Sequence, residues 1–239
     1  MERIKGIIFD YGGTIDTNGI HWGEFIWEQY KAASMEVSHE EFRKAYVHGE
    51  RTLAKHPIIE PTDTFRRLLG KKLEIQFGYL RENTTTPGLS AGKAHAIAEA
   101  CYREVVSTMH TTRAIVERLS GKYPMVLVTN FYGNMPVVLK EFGLERYFKE
   151  IIESSVVGIR KPDPELFAMG CRALGMEAGE VLVIGDSYRK DIYPSTTLGC
   201  STVWLKNVCW EEENVEPGHE PTAIITSLEQ LAGAVPEIV

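Results

Sequence analysis

Five short segments that are apolar on both faces constrain the fold of this chain more than any other feature. They are rich in β-branched residues and comprise Ile7–Phe9, Met125–Val128, Val181–Ile184, Ser201–Leu205 and Ala223–Ile225, with Ile151–Glu153 as a weaker sixth candidate. Strands that are apolar throughout and alternate with helical segments indicate a parallel sheet that is covered on both faces. The sequence therefore predicts an α/β fold.

Helices are predicted between these strands because stop signals recur after each apolar-periodic segment. One helix runs from about Thr112 to Leu119 before Gly121, one follows Asn134 and ends at Gly143, and one runs from Pro164 to Gly175. Glycine just past a helix end supplies the left-handed residue that closes the last turn. Asp163 before Pro164 is typical of an N-cap that is followed by proline at the first helical position.

The segment 17–110 differs from the rest of the chain because it shows helical periodicity and almost no strand signal. Its helix start signals are a capping box at Ser38–Glu41, Thr62 or Asp63 before the next helix, and Ser90 before a third. We therefore expect a helical cap domain at 17–110, inserted into a core domain that consists of residues 1–16 and 111–239.

Asp10, at the end of the first predicted strand, is the first candidate functional residue. It opens the sequence Asp10-Tyr11-Gly12-Gly13-Thr14. A carboxylate there points into a turn rich in free backbone N–H groups, which can hold a phosphoryl group while the carboxylate attacks it. A plain strand-to-loop turn gives the same pattern, so this motif alone leaves both interpretations open.

Two further polar sites follow later in the chain. Thr129 and Asn130 end the second long apolar strand, and their hydroxyl and amide suit an anionic oxygen, although such a pair also commonly starts a helix. Lys161 precedes a proline, which biases its backbone towards an extended conformation. An ammonium fixed at that position would neutralise both a nucleophilic carboxylate and a transferring phosphate.

Asp186 and Asp191 form the last candidate site, at a strand end and in the first turn of the next helix. Brought near Asp10, these carboxylates would repel it unless a cation lay among them. Carboxylate oxygens are the ligands that Mg²⁺ prefers. All four polar sites follow strands, and open α/β sheets bind ligands at the carboxyl ends of their strands.

The order of nucleophile, hydroxyl, lysine and paired acids resembles the haloacid dehalogenase-like superfamily over nearly the whole chain. The resemblance implies a three-layer Rossmann-like core with the first strand central. It also implies a helical cap like that of the beta-phosphoglucomutase, phosphonatase and dehalogenase branches. The expected enzyme is a Mg²⁺-dependent hydrolase, a phosphatase acting on a small phosphorylated metabolite.

The resemblance further implies a role for each matching residue. Asp10 attacks phosphorus and forms an aspartyl-phosphate, and Lys161 balances the charge. The substrate oxygens are held by Gly13, Thr129, Asn130 and Lys161. The Mg²⁺ ligands are Asp10, the backbone carbonyl of Gly12 and Asp186, with Asp191 supporting them from behind.

The chain departs from the phosphatase pattern at Gly12, where such enzymes carry a second Asp that protonates the leaving group. General acid–base catalysis contributes about 10²–10⁴-fold. Without this Asp, a phosphatase could act on substrates with good leaving groups such as acyl phosphates. Alternatively, another side chain could serve as the acid, with Asp16, His21, His39, His48 and His56 as candidates. The alternatives are a phosphonatase with Lys31, Lys44 or Lys55 as its imine lysine, a dehalogenase, or a phosphate-binding relative without turnover.

Charge and composition exclude several other classes of partner. The net charge is −7 and basic residues form no block, which argues against nucleic acid and anionic membranes. No apolar run is long enough for a membrane span, and the N-terminus lacks a signal-peptide pattern, so a cytoplasmic location is expected.

The four cysteines are widely spaced and are expected to be buried thiols. Oligomeric state is not readable from the sequence.

Overall fold

A six-stranded parallel sheet lies at the centre of the computed structural model, which describes residues 4–231 and 233–234. Its strands are β1 (Gly6–Phe9), β2 (Met125–Thr129), β3 (Glu150–Glu153), β4 (Val181–Gly185), β5 (Ser201–Leu205) and β6 (Ala223–Ile225). The strand order β3-β2-β1-β4-β5-β6 places β1 inside the sheet, paired with β2 and β4. The predicted parallel α/β sheet with a central first strand is confirmed, including the weak candidate β3.

Four long helices follow β1 before the chain returns to the sheet. They are α1 (Trp22–Ala32), α2 (His39–Lys55), α3 (Phe65–Asn83) and α4 (Ala91–Ser120). The capping box at Ser38–Glu41 is confirmed, and α4 begins after Ser90 as predicted. The N-cap of α3 is Thr64 rather than Thr62 or Asp63, since its side chain accepts the N–H of Arg67.

The helices predicted at Ser90 and at Thr112 are one continuous helix of 30 residues, α4. The predicted domain boundary at 110–111 therefore falls inside a helix, and the division into cap and core stays a prediction. Gly121 caps α4 with φ −72°, so the left-handed closure predicted there is wrong. The residues of the predicted core at 1–3, 232 and 235–239 lie outside the described part of the chain.

The described residues also form four shorter α-helices beside the sheet: α5 (Met135–Glu141), α6 (Ser154–Val157), α7 (Glu165–Leu174) and α8 (Tyr193–Leu198). Gly143 and Gly175 have φ of 67° and 72°, which confirms the left-handed closures predicted at these glycines. The backbone N–H of Glu165 donates to the Asp163 carboxylate at 3.0 Å, so Asp163 caps α7 although Pro164 occupies the N-cap position.

The two faces of the sheet belong to different apolar layers because successive strand residues point to opposite sides. Ile8, on one face, is buried with Leu166 and Phe167 of α7. Ile7 and Phe9, on the other face, belong to a larger layer that also contains residues of α1–α4. The helices that follow β1 are therefore continuous with the core of the sheet.

The cysteines are free thiols, and Cys101, Cys171 and Cys200 are buried as predicted. Cys209 is only partly buried, which differs from the prediction. Within the described residues, no helix is long and apolar enough to cross a bilayer.

The loop between β5 and β6 crosses to the helices that follow β1. The ring of Trp210 lies under the Arg43 guanidinium, whose Cζ is 4.0 Å from the ring centroid. The same arginine donates to the backbone carbonyl of Trp210 at 3.2 Å. Gly23 of α1 lies flat against this indole, since a Cβ there would be 2.1 Å from a ring atom. The contact holds α1 and α2 against a loop of the sheet.

We predict that Gly23→Ala destabilises the fold by about 1–3 kcal/mol, because the added methyl group must displace the Trp210 ring. The free energy of unfolding from urea titration measures the effect. The control is Gly70→Ala in α3, where a Cβ meets nothing within 4 Å. That change should stabilise the protein by up to about 1 kcal/mol through helix propensity. Equal effects of the two substitutions would contradict the close Trp210 contact.

Candidate active site

Three acidic side chains from distant parts of the sequence meet at the carboxyl edge of the sheet. Asp10 follows β1, Asp186 follows the neighbouring strand β4, and Asp191 lies in a π-helical turn, Tyr188–Ile192. One carboxylate oxygen from each of the three lies within 4.8 Å of the others. The structure therefore brings together the acids that the sequence nominated for one cation.

Lys161 joins two of these acids. Its Nζ donates to Asp10 Oδ1 at 2.6 Å and to Asp191 Oδ1 at 2.7 Å, and its side chain is almost completely buried. Asn130 fixes the lysine backbone, since its amide accepts from Lys161 N at 2.9 Å and donates to Lys161 O at 3.1 Å. The Asn130 side chain thus positions Lys161, a use that the sequence did not suggest.

Thr14 bridges the other pair of acids and was not among the predicted site residues. Its Oγ1 lies 3.1 Å from Asp10 Oδ2 and 3.2 Å from Asp186 Oδ1, so its single proton serves one carboxylate at a time. Gly13 makes this approach possible, because a Cβ there would lie 2.3 Å from Asp186 Oδ2 and its φ is 95°. The Gly-Thr pair after the strand was the signal that could have identified Thr14.

The cluster carries more negative than positive charge. Burial raises the pKa of Asp10 to about 6, although Lys161 opposes the shift. Burial, reinforced by the carboxylates of Asp10 and Asp191, holds the pKa of Asp186 well above its ordinary value. Two buried carboxylates and one partly buried carboxylate beside one ammonium fit a divalent cation, which would allow all of them to ionise.

Asp191 accepts hydrogen bonds at both of its oxygens, one from a buried lysine and one from the backbone of its own turn. Oδ1 accepts from Lys161 and Oδ2 accepts from the backbone N–H of Ser187 at 3.1 Å. This arrangement is consistent with the supporting position predicted for Asp191. Asp10 likewise accepts at both oxygens, from Lys161 and Thr14, whereas Asp186 accepts from Thr14 alone among the described residues. Asp186 therefore has the carboxylate with the fewest competing donors for a cation.

The predicted sites Gly12 and Thr129 lie at the same edge. Thr129 is the buried last residue of β2, and both residues line a cavity of about 140 Å³ above the acids. A Cβ at Gly12 would be 4.0 Å from its nearest neighbours, two atoms of the Trp22 indole. The position of the missing second Asp is therefore open space beside an aromatic wall.

The helices after β1 supply much of this cavity wall. Its aromatic and aliphatic lining consists of Trp22, Tyr46, Phe65, Leu68, Leu69, Phe131 and Tyr132. Its further polar lining includes His21, Glu50, Lys72, Arg160 and Lys190. Of the aromatic cluster Trp22, Phe25, Trp27 and Tyr30, Trp22 lines the cavity, while the other three pack against α1–α4 and their neighbours.

The side chains considered as replacement acids are poorly placed for that role. Asp16 lies outside the cavity lining, with its carboxylate accepting from Gly13 N at 2.7 Å and from Trp22 Nε1 at 2.9 Å. Burial raises the pKa of Asp16 to about 7. His21 lines the cavity, but burial, followed by the charge of Lys190, lowers its pKa to about 3. His21 is thus neutral at pH 7.

The remaining candidates are exposed and lie outside the cavity. They are His39, His48 and His56, considered as acids, and Lys31, Lys44 and Lys55, considered as imine-forming lysines. The lysine that does line the cavity from these helices is Lys72 of α3. No sequence pattern singles out Lys72, because its burial depends on how α2 and α3 pack.

Glu213, in the β5–β6 loop, was also missed. Its carboxylate accepts from Ser187 Oγ at 3.0 Å, from Tyr188 N at 2.7 Å and from Arg189 N at 3.2 Å. In the sequence, these three donor residues lie between Asp186 and Asp191. Glu213 therefore fixes the turn that carries both acids, and only the path of the loop shows it.

The comparisons with known proteins agree with this geometry. Residues 4–193 match the model for haloacid dehalogenase-like hydrolases, and residues 158–231 match one for HAD-hydrolase-like proteins. The first match covers most of the chain. The chain belongs to the haloacid dehalogenase-like hydrolase family, whose members generally use a divalent metal.

Two similar relatives are phosphatases by name. The glyceraldehyde 3-phosphate phosphatase of Pyrococcus furiosus is 31% identical over 88 residues, 37% of each chain. The 5-amino-6-(5-phospho-D-ribitylamino)uracil phosphatase YigB of Escherichia coli is 27% identical over 137 residues, 55% of this chain and 56% of that one. The chain thus spans between about a third and just over half of the length of these relatives.

A solved structure shares the fold over the whole chain. The magnesium-bound crystal structure of YfnB from Bacillus subtilis aligns with a TM-score of 0.58 at 18% identity, covering 98% of this chain and 99% of that one. At this identity the similarity shows the fold alone, which is the Rossmann-like fold predicted from the sequence.

We predict that Glu213→Gln weakens binding of Mg²⁺ about tenfold, because loss of a supporting partner around a metal site typically costs about 10–100-fold in affinity. Isothermal titration calorimetry with the metal alone measures the change. Glu212→Gln, at an exposed neighbouring position, is the control and should bind as the unmodified protein does. Unchanged affinity in Glu213→Gln would show that the turn holds its shape without this carboxylate.

Proposed function

We propose that this hydrolase is a Mg²⁺-dependent phosphatase that uses Asp10 as its nucleophile and acts on a small phosphorylated metabolite. The observation that carries the proposal is the convergence of Asp10, Asp186 and Asp191 within 4.8 Å around the Lys161 ammonium. A carboxylate nucleophile, paired acids and a buried lysine are the parts that phosphoryl transfer to an aspartate requires.

The reaction proceeds in two displacements at phosphorus. Asp10 forms a bond from its carboxylate oxygen to phosphorus while the bond to the leaving oxygen breaks, which gives an aspartyl-phosphate. Water then attacks that phosphorus, inorganic phosphate departs and the Asp10 carboxylate is restored. Lys161 holds Asp10 in place and offsets negative charge in both steps.

A divalent cation fits the donor set of this site. Asp10, the Gly12 backbone carbonyl and Asp186 would hold it, with Asp191 behind them. When bound, it supplies positive charge that lowers the repulsion between an anionic nucleophile and a phosphate. The oxygen ligands favour Mg²⁺ over softer metals, and the YfnB structure with this fold contains magnesium.

The open position at Gly12 limits the choice of substrate. Within the described residues, the cavity has no carboxylic acid at that position. His21 is a neutral imidazole at pH 7 and so cannot act as an imidazolium acid. A leaving group that departs without protonation avoids this deficit. We therefore favour acyl or aryl phosphates, or similarly stabilised leaving groups, over simple alkyl phosphates.

Lys72, the lysine that lines the cavity from the helices after β1, does not support the phosphonatase alternative. An imine requires a neutral amine, but Lys72 Nζ lies 2.7 Å from Glu50 Oε1. Burial alone would lower the pKa of Lys72, yet Glu50 and Tyr132 outweigh it and hold the pKa above its ordinary value. The ammonium form of Lys72 thus persists.

The dehalogenase alternative does not explain the paired acids. A dehalogenase needs no metal, so Asp186 and Asp191 would have no function in its site.

We predict that Asp10→Asn lowers Mg²⁺-dependent hydrolysis of 4-nitrophenyl phosphate by about 10⁴-fold or more, because the nucleophile is lost. Phosphate release in steady-state assays measures it. Asp163→Asn, at an exposed helix cap where Asn also caps well, is the control and should retain activity. Halide release that continues in a chelator would favour the dehalogenase alternative instead.

We predict that Gly12→Asp accelerates hydrolysis of glycerol 3-phosphate by about 10²-fold, since the new carboxyl group can protonate the alkoxide. The side chain has room, because the nearest atoms to its Cβ are 4.0 Å away. Hydrolysis of 4-nitrophenyl phosphate should rise much less, as its leaving group needs no proton. An equal gain on both substrates, or no gain in a folded variant, would contradict this account of the Gly12 position.

A further inference from the structure

An ion pair between a buried lysine and a partly buried glutamate, whose side chain is 33% exposed, lies in the part of the cavity wall that the helices after β1 provide. Lys72 of α3 and Glu50 of α2 approach to 2.7 Å, and only 6% of the lysine side chain is exposed. The Tyr132 hydroxyl, from the loop after β2, donates to the second Glu50 oxygen at 2.9 Å. The three side chains line the same cavity as Asp10.

Stability does not account for this pair. Removing the Lys72 charge from water costs several kcal/mol, and a buried ion pair can often be replaced by apolar residues with no loss of stability. The neighbouring wall positions Phe65, Leu68 and Leu69 are apolar, so an apolar wall is sterically feasible here. A polar pair in an otherwise apolar wall is better explained by a ligand that it contacts.

The charges of the cavity define what that ligand can carry. Glu50 already neutralises Lys72, so the pair contributes no net charge to the cavity wall. Of the remaining cations in the lining, Lys161 is committed to Asp10 and Asp191. Arg160 and Lys190 are exposed to solvent, where salt screens their charges more strongly than that of the buried Lys72, although Lys190 still helps to lower the pKa of His21.

A carboxylate on the leaving group would therefore share one ammonium with Glu50. Two carboxylates beside a single cation in a buried site repel each other, and one of them must give up its charge. An uncharged polar group meets no such penalty. It can accept a hydrogen bond from Lys72 and donate one to Glu50, which offers both kinds of partner side by side.

We propose that the Glu50–Lys72 pair selects phosphate esters whose leaving group carries an uncharged hydrogen-bonding substituent and rejects those with a carboxylate or a second phosphate. The proposal rests on the phosphatase function proposed above. Lys72 and Glu50 contact the leaving group rather than the reacting phosphorus, so they determine specificity and take no part in bond breaking.

Two aryl phosphates of nearly equal shape test the proposal: 4-carbamoylphenyl phosphate and 4-carboxyphenyl phosphate. They differ in one charge, and neither leaving group needs a general acid. We expect the unmodified enzyme to prefer the carbamoyl substrate by about tenfold or more in kcat/KM, because like charges at close range are strongly unfavourable. A ratio near one, or a preference for the carboxylate, overturns the proposal without any variant.

Glu50→Gln keeps the shape of the side chain and leaves the Lys72 charge uncompensated. The kcat/KM ratio should then shift by about tenfold or more towards the carboxylate substrate. Lys72→Met should lower kcat/KM for the carbamoyl substrate relative to unsubstituted phenyl phosphate. The control is Glu40→Gln, which removes the partner of Lys44 in an exposed pair on the same helix and should leave the ratio unchanged.

The outcomes separate this inference from the proposed function. Thermal unfolding by circular dichroism first shows that each variant folds. Turnover of both substrates with a ratio that Glu50→Gln moves no more than Glu40→Gln does would refute the selection role while the phosphatase function stands. Absence of Mg²⁺-dependent phosphate release from any of the three aryl phosphates by the unmodified enzyme would refute the phosphatase function itself.

Discussion

The balance of charge between three carboxylates and one buried lysine is the constraint on which the site depends. Asp10, Asp186 and Asp191 end up together because their strands and turn meet at one edge of the sheet. Lys161 compensates part of that charge through two short hydrogen bonds. The excess that remains creates the need for a cation, so the fold prepares the site electrostatically before any ligand arrives.

Hydrogen bonds from the surrounding structure fix the positions of these charged groups. Asn130 fixes the backbone of Lys161, and Glu213 fixes the turn between the two later acids. Trp204 adds a further restraint by donating its indole N–H to the carbonyl of Asp186 at 2.8 Å. Because none of these contacts is local in sequence, the precision of the site depends on the completed sheet and its loops.

The helices after β1 decide what can approach the acids. They contribute apolar side chains and one neutral ion pair to the cavity that Asp10 lines, while the β5–β6 loop ties them to the sheet through Trp210. The missing side chain at Gly12 leaves space where a proton donor would otherwise lie. Charge selection by Glu50 and Lys72 and the open Gly12 position would then both favour uncharged, easily released leaving groups.

Much of this protein was determined by sequence alone. The apolar strands and the glycine stops at Gly143 and Gly175 are local patterns, which continuous hydrophobicity and backbone preference are enough to predict. The order of Asp10, Thr129, Lys161 and Asp186 spans most of the chain and was identified through its resemblance to a known family. Only the tertiary structure revealed the joined helix α4, the Thr14 bridge, the inward position of Lys72 and the contact of Glu213 with the acid turn. These features depend on side chains that approach across long sequence separations, and packing between elements determines such approaches where no local preference specifies them.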